Sequence, residues 1–310
     1  MKRLILVLVL LASPSFAAEK LTLILDWFVN PNHGPIIVAD ELGYFADEGL
    51  EVEIIAPADP SLPAKTVAAG EADIAISYQQ QLHFDIRADM PIKRVGTLIA
   101  TPLNCLLVLA DGDIASISDL AGRTIGFSVA GVDEVVIEAM LAPNGLSLSD
   151  VELVNVNWSL APSLMSGQVD AVIGAARNYQ PNQMALDGAP SRCFFVEEEG
   201  FPAYDELIFV AQDNAGNEKQ VLAFLSAIER ATQFIVNNPD QAFEVFAASS
   251  PELNDELNRL AWNDTIPRFA LRPAALNHGR YAAYEAFLNA IGQTEDIRPA
   301  SDFAIDLTDQ

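Results

Sequence analysis

Asp26, Trp27, Phe28, Asn30, Asn32 and His33 fall together in one short polar and aromatic stretch. A small-molecule site needs only a few placed polar groups beside apolar or aromatic walls, and this stretch carries both kinds of group. A second polar pair, Ser77-Tyr78, closes the apolar run Ile74-Ala75-Ile76. A structural zinc site is not expected, because the three histidines and two cysteines are scattered along the chain.

The elements around these residues explain why they would meet a ligand. Leu21–Leu25 is a short β-type run and Val52–Ala56 another. Between them, Pro35–Leu42 has apolar residues at helical spacing and Gly43 gives a stop signal. That is a βαβ unit with parallel strands and a right-handed crossover. Residues 26–33 then lie past the C-terminal end of the first strand, the edge where open α/β sheets bind ligands. The strand ending at Tyr78 brings its polar end beside the same turn. Plainer roles stay open for each residue: Asp26 as a cap, Trp27 as packing beneath the turn, His33 as donor to a backbone carbonyl.

The chain has 310 residues, 51% of them hydrophobic, enough for one large or two medium domains. Its N-terminus has the sequence of a secretory signal peptide. Basic Met1-Lys2-Arg3 precedes the apolar run Leu4–Ala12 and the small residues of Ser13–Ala17, with cleavage expected after Ala17 or Ala18. The run is short of the roughly 20 residues a membrane span needs. No cysteine follows it, so no lipid anchor is expected, and the mature protein should be periplasmic. Net charge is −26, and loss of Lys2 and Arg3 takes it to −28. Such acidity speaks against nucleic acid or anionic lipid as partner. An oxidising compartment permits a bond between Cys105 and Cys193, and the sequence leaves their pairing open.

Further along, Ala69-Gly70-Glu71-Ala72-Asp73 followed by an apolar run is echoed by Ser166-Gly167-Gln168-Val169-Asp170. Both read as helix, C-cap glycine, tight turn, strand, which suggests two similar α/β lobes. Ser128–Asp133 is a strand-to-helix turn. Ala175–Asn182 is polar and aromatic after a strand end, and Glu198–Glu206 is a loop. From Glu218 onward the pattern is helical, with Val221, Leu222, Leu225, Ile228, Thr232 and Ile235 forming an amphipathic face.

The run Asp26-Trp27 through His33-Gly34-Pro35, then Gly43-Tyr44-Phe45, Glu48-Gly49-Leu50 and Gly70-Glu71-Ala72-Asp73, resembles the family of thiamine-precursor proteins. That family joins solute-binding proteins for formylaminopyrimidine or hydroxymethylpyrimidine to the fungal hydroxymethylpyrimidine phosphate synthase. Pro57–Ser61 and Phe201–Leu207 fit the bacterial binding proteins. The resemblance implies an α/β type II periplasmic-binding-protein fold, with two lobes, two crossover strands and a ligand cleft between them. Crossings are expected near Leu109–Ser116 and Tyr204–Gln212. Lobe one would then hold residues 18–111 and 208–310, and lobe two residues 112–207.

Within that resemblance, the positions of the synthase's cofactor lysine and nearby histidine are Ser77 and Gln81 here, so its covalent chemistry has no amine to start from. A non-enzymatic receptor without cofactor or metal is therefore expected, a monomer delivering a pyrimidine to an ABC permease. Trp27, Tyr179 and Tyr204 are candidate walls for stacking. Asp26 and Glu206 are candidate acceptors for the exocyclic amine. Asn32, His33, Ser77 and Tyr78 would complete the polar lining. Tyr44 and Phe45 are read as packing residues. The alternatives are a receptor for another solute, such as a riboflavin-like heterocycle, a sulfonate or nitrate, and, behind these, a synthase.

Overall fold

The structure is a computed structural model that describes residues 18–213 and 217–308. The signal peptide expected over 1–17 lies outside the described residues. The strands in chain order are β1 (Glu19–Ile24), β2 (Leu50–Ile55), β3 (Ile74–Tyr78), β4 (Ile92–Ile99) and β5 (Asn104–Leu109). They continue with β6 (Thr124–Phe127), β7 (Glu152–Asn155), β8 (Ala171–Ala176), β9 (Ser191–Phe195) and β10 (Leu207–Gln212). They form two five-stranded sheets, ordered β2-β1-β3-β10-β4 and β7-β6-β8-β5-β9.

The two sheets follow one plan. In each, the second-position strand, β1 or β6, pairs in parallel with its two neighbours, and the fourth-position strand, β10 or β5, runs antiparallel. That antiparallel strand is the one the chain inserts on crossing between lobes. The sequence echo has a physical counterpart at β3 and β8. Gly70 and Gly167 both adopt positive φ, at 76° and 71°, which ends the preceding helix in a left-handed cap. The next amides, Glu71 and Gln168, each bond back to a carbonyl one turn earlier, Thr66 and Ser163, at 3.0 Å. Asp73 Oδ2 then accepts the Thr22 amide of β1 at 2.7 Å, and Asp170 Oδ2 accepts the Thr124 amide of β6 at 2.8 Å. The shared Gly-x-x-Asp spacing thus hooks each central strand onto its parallel neighbour.

One boundary differs from expectation. β5 lies in the second sheet, so the first crossing is residues 100–103, not Leu109–Ser116. Thr101-Pro102-Leu103 reads locally as a turn between adjacent strands, and only the sheet order reveals it as a crossover. The second crossing is residues 200–206, leading into β10. The C-terminal return is also shared between lobes. Along the helix His278–Ala290, Tyr281 joins an apolar cluster with Ile208 and Val210 of the first sheet. Tyr284 and Leu288 of the same helix pack in the cluster of Val136, Phe201 and Tyr204.

The first lobe's core is built from buried β1, β3 and β10 residues against the helix Glu218–Asn237. That helix buries Val221, Leu225, Ile228, Thr232 and Ile235 at helical spacing, while Leu222 packs at its edge. Phe45 stacks on Phe224 at 5.4 Å between ring centres, and Arg230 lies 3.8 Å over the Tyr44 ring, so both aromatics are packing residues. Cys105 of β5 and Cys193 of β9 form a disulfide with Cα atoms 5.6 Å apart, closing a sequence separation of 88.

Candidate ligand-binding site

Between the sheets lies a cleft with an empty volume of about 730 Å³, its open mouth included. Among the described residues three carboxylates line it, Asp26, Asp133 and Glu206, and no lysine or arginine does. Each carboxylate is fixed by a different piece of local structure.

Asp26 follows β1. The Asn30–His33 turn is closed by a capping box, in which Asn30 Oδ1 accepts the Asn32 amide and His33 Nδ1 accepts the Asn30 amide at 3.2 Å. With Nδ1 accepting, the proton sits on Nε2, which donates to Asp26 Oδ1 at 2.9 Å. Tyr78 donates its hydroxyl to Asp26 Oδ2, also at 2.9 Å. Burial and the neighbouring Asp26 charge hold the Tyr78 hydroxyl well above its usual range, so it stays a donor.

Asp133 opens the helix Asp133–Leu141 after β6, the second lobe's counterpart of β1. Its Oδ2 accepts the amides of Ser128 at 3.0 Å and Val129 at 2.9 Å. These amides would otherwise form an anion cradle at a helix N-terminus, and the protein's own carboxylate fills it. Burial lifts the Asp133 carboxyl to about 6. Gly174, at φ +87°, is required opposite: a Cβ there would sit 2.8 Å from Asp133 Oδ2.

Glu206 joins the two crossings. Lying just before β10, its Oε2 accepts the amide of Leu103 at the end of the first crossing at 2.5 Å and that of Asn104 at the start of β5 at 3.0 Å. Arg177 braces the same segment, donating to the Leu103 and Asn104 carbonyls while pairing with Glu197. Asp205 is clamped by the Gln79 side chain, Thr97 and Arg280. Burial raises the Glu206 carboxyl above the usual range, opposed by its two amide bonds.

The donors are carboxamides. Asn32 Oδ1 accepts from Asn178, Asn104 Oδ1 from the Gly174 amide and Gln180 Oε1 from the Ala176 amide. With each oxygen engaged, the NH2 end of Asn104 turns to the Asp133 carboxylate, and those of Asn32 and Gln180 are left to face other partners. Aromatic surface comes from Trp27, Tyr78 and Tyr179. Trp27 meets Trp158 edge-on at 4.3 Å, and Phe28 meets Tyr179 at 6.2 Å, so aromatic contacts bridge the lobes at the cleft. The carboxylates do not gather on one point, and among the described residues no group of His, Cys, Asp and Glu is placed to hold a metal ion.

Of the residues singled out from the sequence, Asp26, Trp27, Asn32, Tyr78, Tyr179 and Glu206 line this cleft. Three do not. His33 is fully buried behind Asp26, drawn back by the capping box. Ser77 is buried outside the lining beside Tyr78, since alternate side chains of a strand face opposite ways. Tyr204 is fully buried against Tyr284, its ring pulled into the apolar cluster of Phe201. Asn30 of the first turn lines it too, and Gln80, Asn104, Ser128, Asp133 and Gln180 do so without having been anticipated. The equivalence of β1 and β6 is a signal for Ser128 and Asp133. Asn104 has none, because the position of the crossing places it.

The chain matches the family described as NMT1/THI5 like over residues 30–242. A Haemophilus influenzae protein named for thiamine biosynthesis is 47% identical over 299 residues, covering 96% of this chain and 95% of that protein. The formylaminopyrimidine-binding protein of Halalkalibacterium halodurans is 34% identical over 245 residues, 78% of this chain and 74% of that one. More distantly, the 4-amino-5-hydroxymethyl-2-methylpyrimidine phosphate synthase of Aspergillus parasiticus is 25% identical over 267 residues, 82% and 78% of the two chains. Among solved structures, the alkanesulfonate-binding protein SsuA of Xanthomonas axonopodis pv. citri bound to MOPS superposes with a TM-score of 0.72. It is 16% identical and the match covers 92% of this chain and 96% of that one, a likeness of fold. The chain belongs to the NMT1/THI5-like family, built on the two-lobed periplasmic-binding-protein fold.

Proposed function

We propose that the protein is an extracytoplasmic receptor that captures an aminopyrimidine thiamine precursor, formylaminopyrimidine or hydroxymethylpyrimidine, and hands it to an ABC permease. The observation that carries this reading is a cleft lined by Asp26, Asp133 and Glu206 with no cationic side chain among the described residues. An exocyclic amine donates to a carboxylate, and ring nitrogens accept from carboxamide NH2 groups, so the cleft's polar inventory complements such a ring. Trp27, Tyr78 and Tyr179 supply flat surface for stacking. The 34% identical formylaminopyrimidine-binding protein supports the same substrate class.

Anionic solutes fit poorly. The amides of Ser128 and Val129 already serve Asp133, which leaves a sulfonate or nitrate facing carboxylates. A synthase reading meets Ser77 where the fungal enzymes carry the cofactor lysine, and Ser77 lies outside the cleft lining. Export from the cytoplasm is supported by the resemblance of the N-terminal sequence to a signal peptide and by the Cys105–Cys193 disulfide, a bond that persists in oxidising compartments.

A thermal-shift panel tests the reading with formylaminopyrimidine, hydroxymethylpyrimidine, thiamine, riboflavin, taurine and nitrate. Ligand at 100 times its Kd adds about 2.7 kcal/mol of stability. A rise in Tm with one of the two pyrimidines alone is expected. A response confined to taurine, nitrate or riboflavin would reject the aminopyrimidine.

A further inference from the structure

Asn178 belongs to the second lobe, just past β8, and is almost completely buried. Its Nδ2 nevertheless reaches the first lobe twice, donating to Asn32 Oδ1 at 2.7 Å and to Thr265 Oγ1 at 2.6 Å. The Thr265 hydroxyl gives its own proton to the Ala261 carbonyl at 2.6 Å, so towards Asn178 it acts as acceptor. Both Nδ2 protons of Asn178 are then used, and its orientation is determined by its partners. Asn178 Oδ1 is left buried without a hydrogen bond, a cost the protein carries to point the NH2 at the first lobe. Nearby, Asn182 Nδ2 donates to Asp264 Oδ2 at 2.8 Å, so the same two elements are tied at a second place.

The consequence falls on Asn32. The Asn30 side chain holds its backbone amide at 2.9 Å, and Asn178 takes its side-chain oxygen. Asn32 lines the cleft, and Oδ1 is the end engaged by protein, so Nδ2 is the end left for the ligand. We infer that Asn178 is a positioning residue that sets the rotamer of Asn32 across the lobe boundary, so that Asn32 presents an N–H donor to a ligand acceptor only when the lobes are closed. The acceptor is a ring nitrogen or carbonyl oxygen, which deepens the aminopyrimidine reading and rests on it for the choice of probe.

A double-mutant cycle tests this, because a residue acting through Asn32 loses its effect once Asn32 is gone. Asn178→Asp keeps size but replaces the donor by an acceptor, which forces Asn32 to turn its NH2 away from the cleft. Asn178→Ala removes the constraint without reversing it. Both are titrated with formylaminopyrimidine, alone and combined with Asn32→Ala. Asn178→Asp is expected to weaken binding at least about tenfold and Asn178→Ala less, with either costing under about twofold in the Asn32→Ala background. Wild-type binding by Asn178→Asp, or an undiminished penalty in the Asn32→Ala background, would overturn the inference. Failure of the unmutated protein to bind formylaminopyrimidine would instead reject the functional reading. The inference is then decided by ligand-free urea unfolding of Asn178→Ala, Asn32→Ala and the double variant: coupled penalties sustain it and additive ones overturn it.

Discussion

His33 Nε2 donates to Asp26 Oδ1 at 2.9 Å while its Nδ1 accepts the Asn30 amide, so one buried imidazole both closes the first turn and aims the carboxylate that lines the cleft. His33 touches no ligand in this arrangement. It acts through Asp26. The two residues should therefore respond differently to mutation. Asp26→Asn keeps shape and removes the charge, and should weaken aminopyrimidine binding about 10- to 100-fold, as expected for a hydrogen bond to a charged group. Its effect on unfolding should be small. His33→Ala empties a fully buried position and removes two hydrogen bonds, and should cost about 2–4 kcal/mol in urea unfolding as well as affinity.

Asp133 should leave a signature in the pH dependence of stability. Burial raises its carboxyl to about 6 in the folded protein, above the ordinary value of 3.8. Between those values the folded state holds the proton more tightly than the unfolded state, so this group's contribution favours folding at low pH. That contribution is lost as pH rises from about 4 to 6. Asp133→Asn retains an oxygen for the Ser128 and Val129 amides and removes the titration. Its stability relative to wild type should improve on the order of 2–3 kcal/mol between pH 4 and 7. Denaturant titrations at several pH values check this, and parallel curves would refute it.

Glu285 predicts the opposite slope. Burial by itself would raise this carboxyl, but the hydrogen bonds from His83 at 2.6 Å and bidentate Arg87 bring it down to about 2. With a folded value below the ordinary 4.5, its stabilisation is complete above about pH 4.5 and is lost as pH falls towards 2. Glu285→Gln should flatten that acid limb. It should also destabilise the protein at pH 7 by about 3 kcal/mol, because His83 and Arg87 lose a buried partner.

Reducing the Cys105–Cys193 bond, or replacing both residues by serine, should lower unfolding free energy by about 2–4 kcal/mol through the freed chain between them. The bond lies within the second sheet, tying β5 to β9, so ligand affinity should change much less than stability. Guanidinium unfolding with and without dithiothreitol, beside a ligand titration under each condition, separates the two effects.

The first turn was legible because its polar residues are contiguous and the βαβ pattern around them is strong. Asp26, Trp27 and Asn32 reached the cleft as the strand-end argument requires. Side-chain direction was not legible. His33, Ser77 and Tyr204 have backbones close to the site, but a capping box, strand alternation and an apolar cluster turn their side chains elsewhere. The Gly70–Asp73 and Gly167–Asp170 echo pointed to paired lobes, and the Asp hooks to Thr22 and Thr124 give its reason. The first crossing was hidden because Thr101-Pro102-Leu103 looks like any short turn between neighbouring strands. That one misplacement also concealed Asn104 and the amides that hold Glu206.

The central claim is that an acid-lined cleft selects an aminopyrimidine over an anion. Calorimetric titration of the mature protein with formylaminopyrimidine and, separately, with taurine tests it most directly. Saturable binding of the pyrimidine at micromolar or lower Kd, with no heat from taurine, is the predicted result. Taurine binding with no pyrimidine binding would contradict the account.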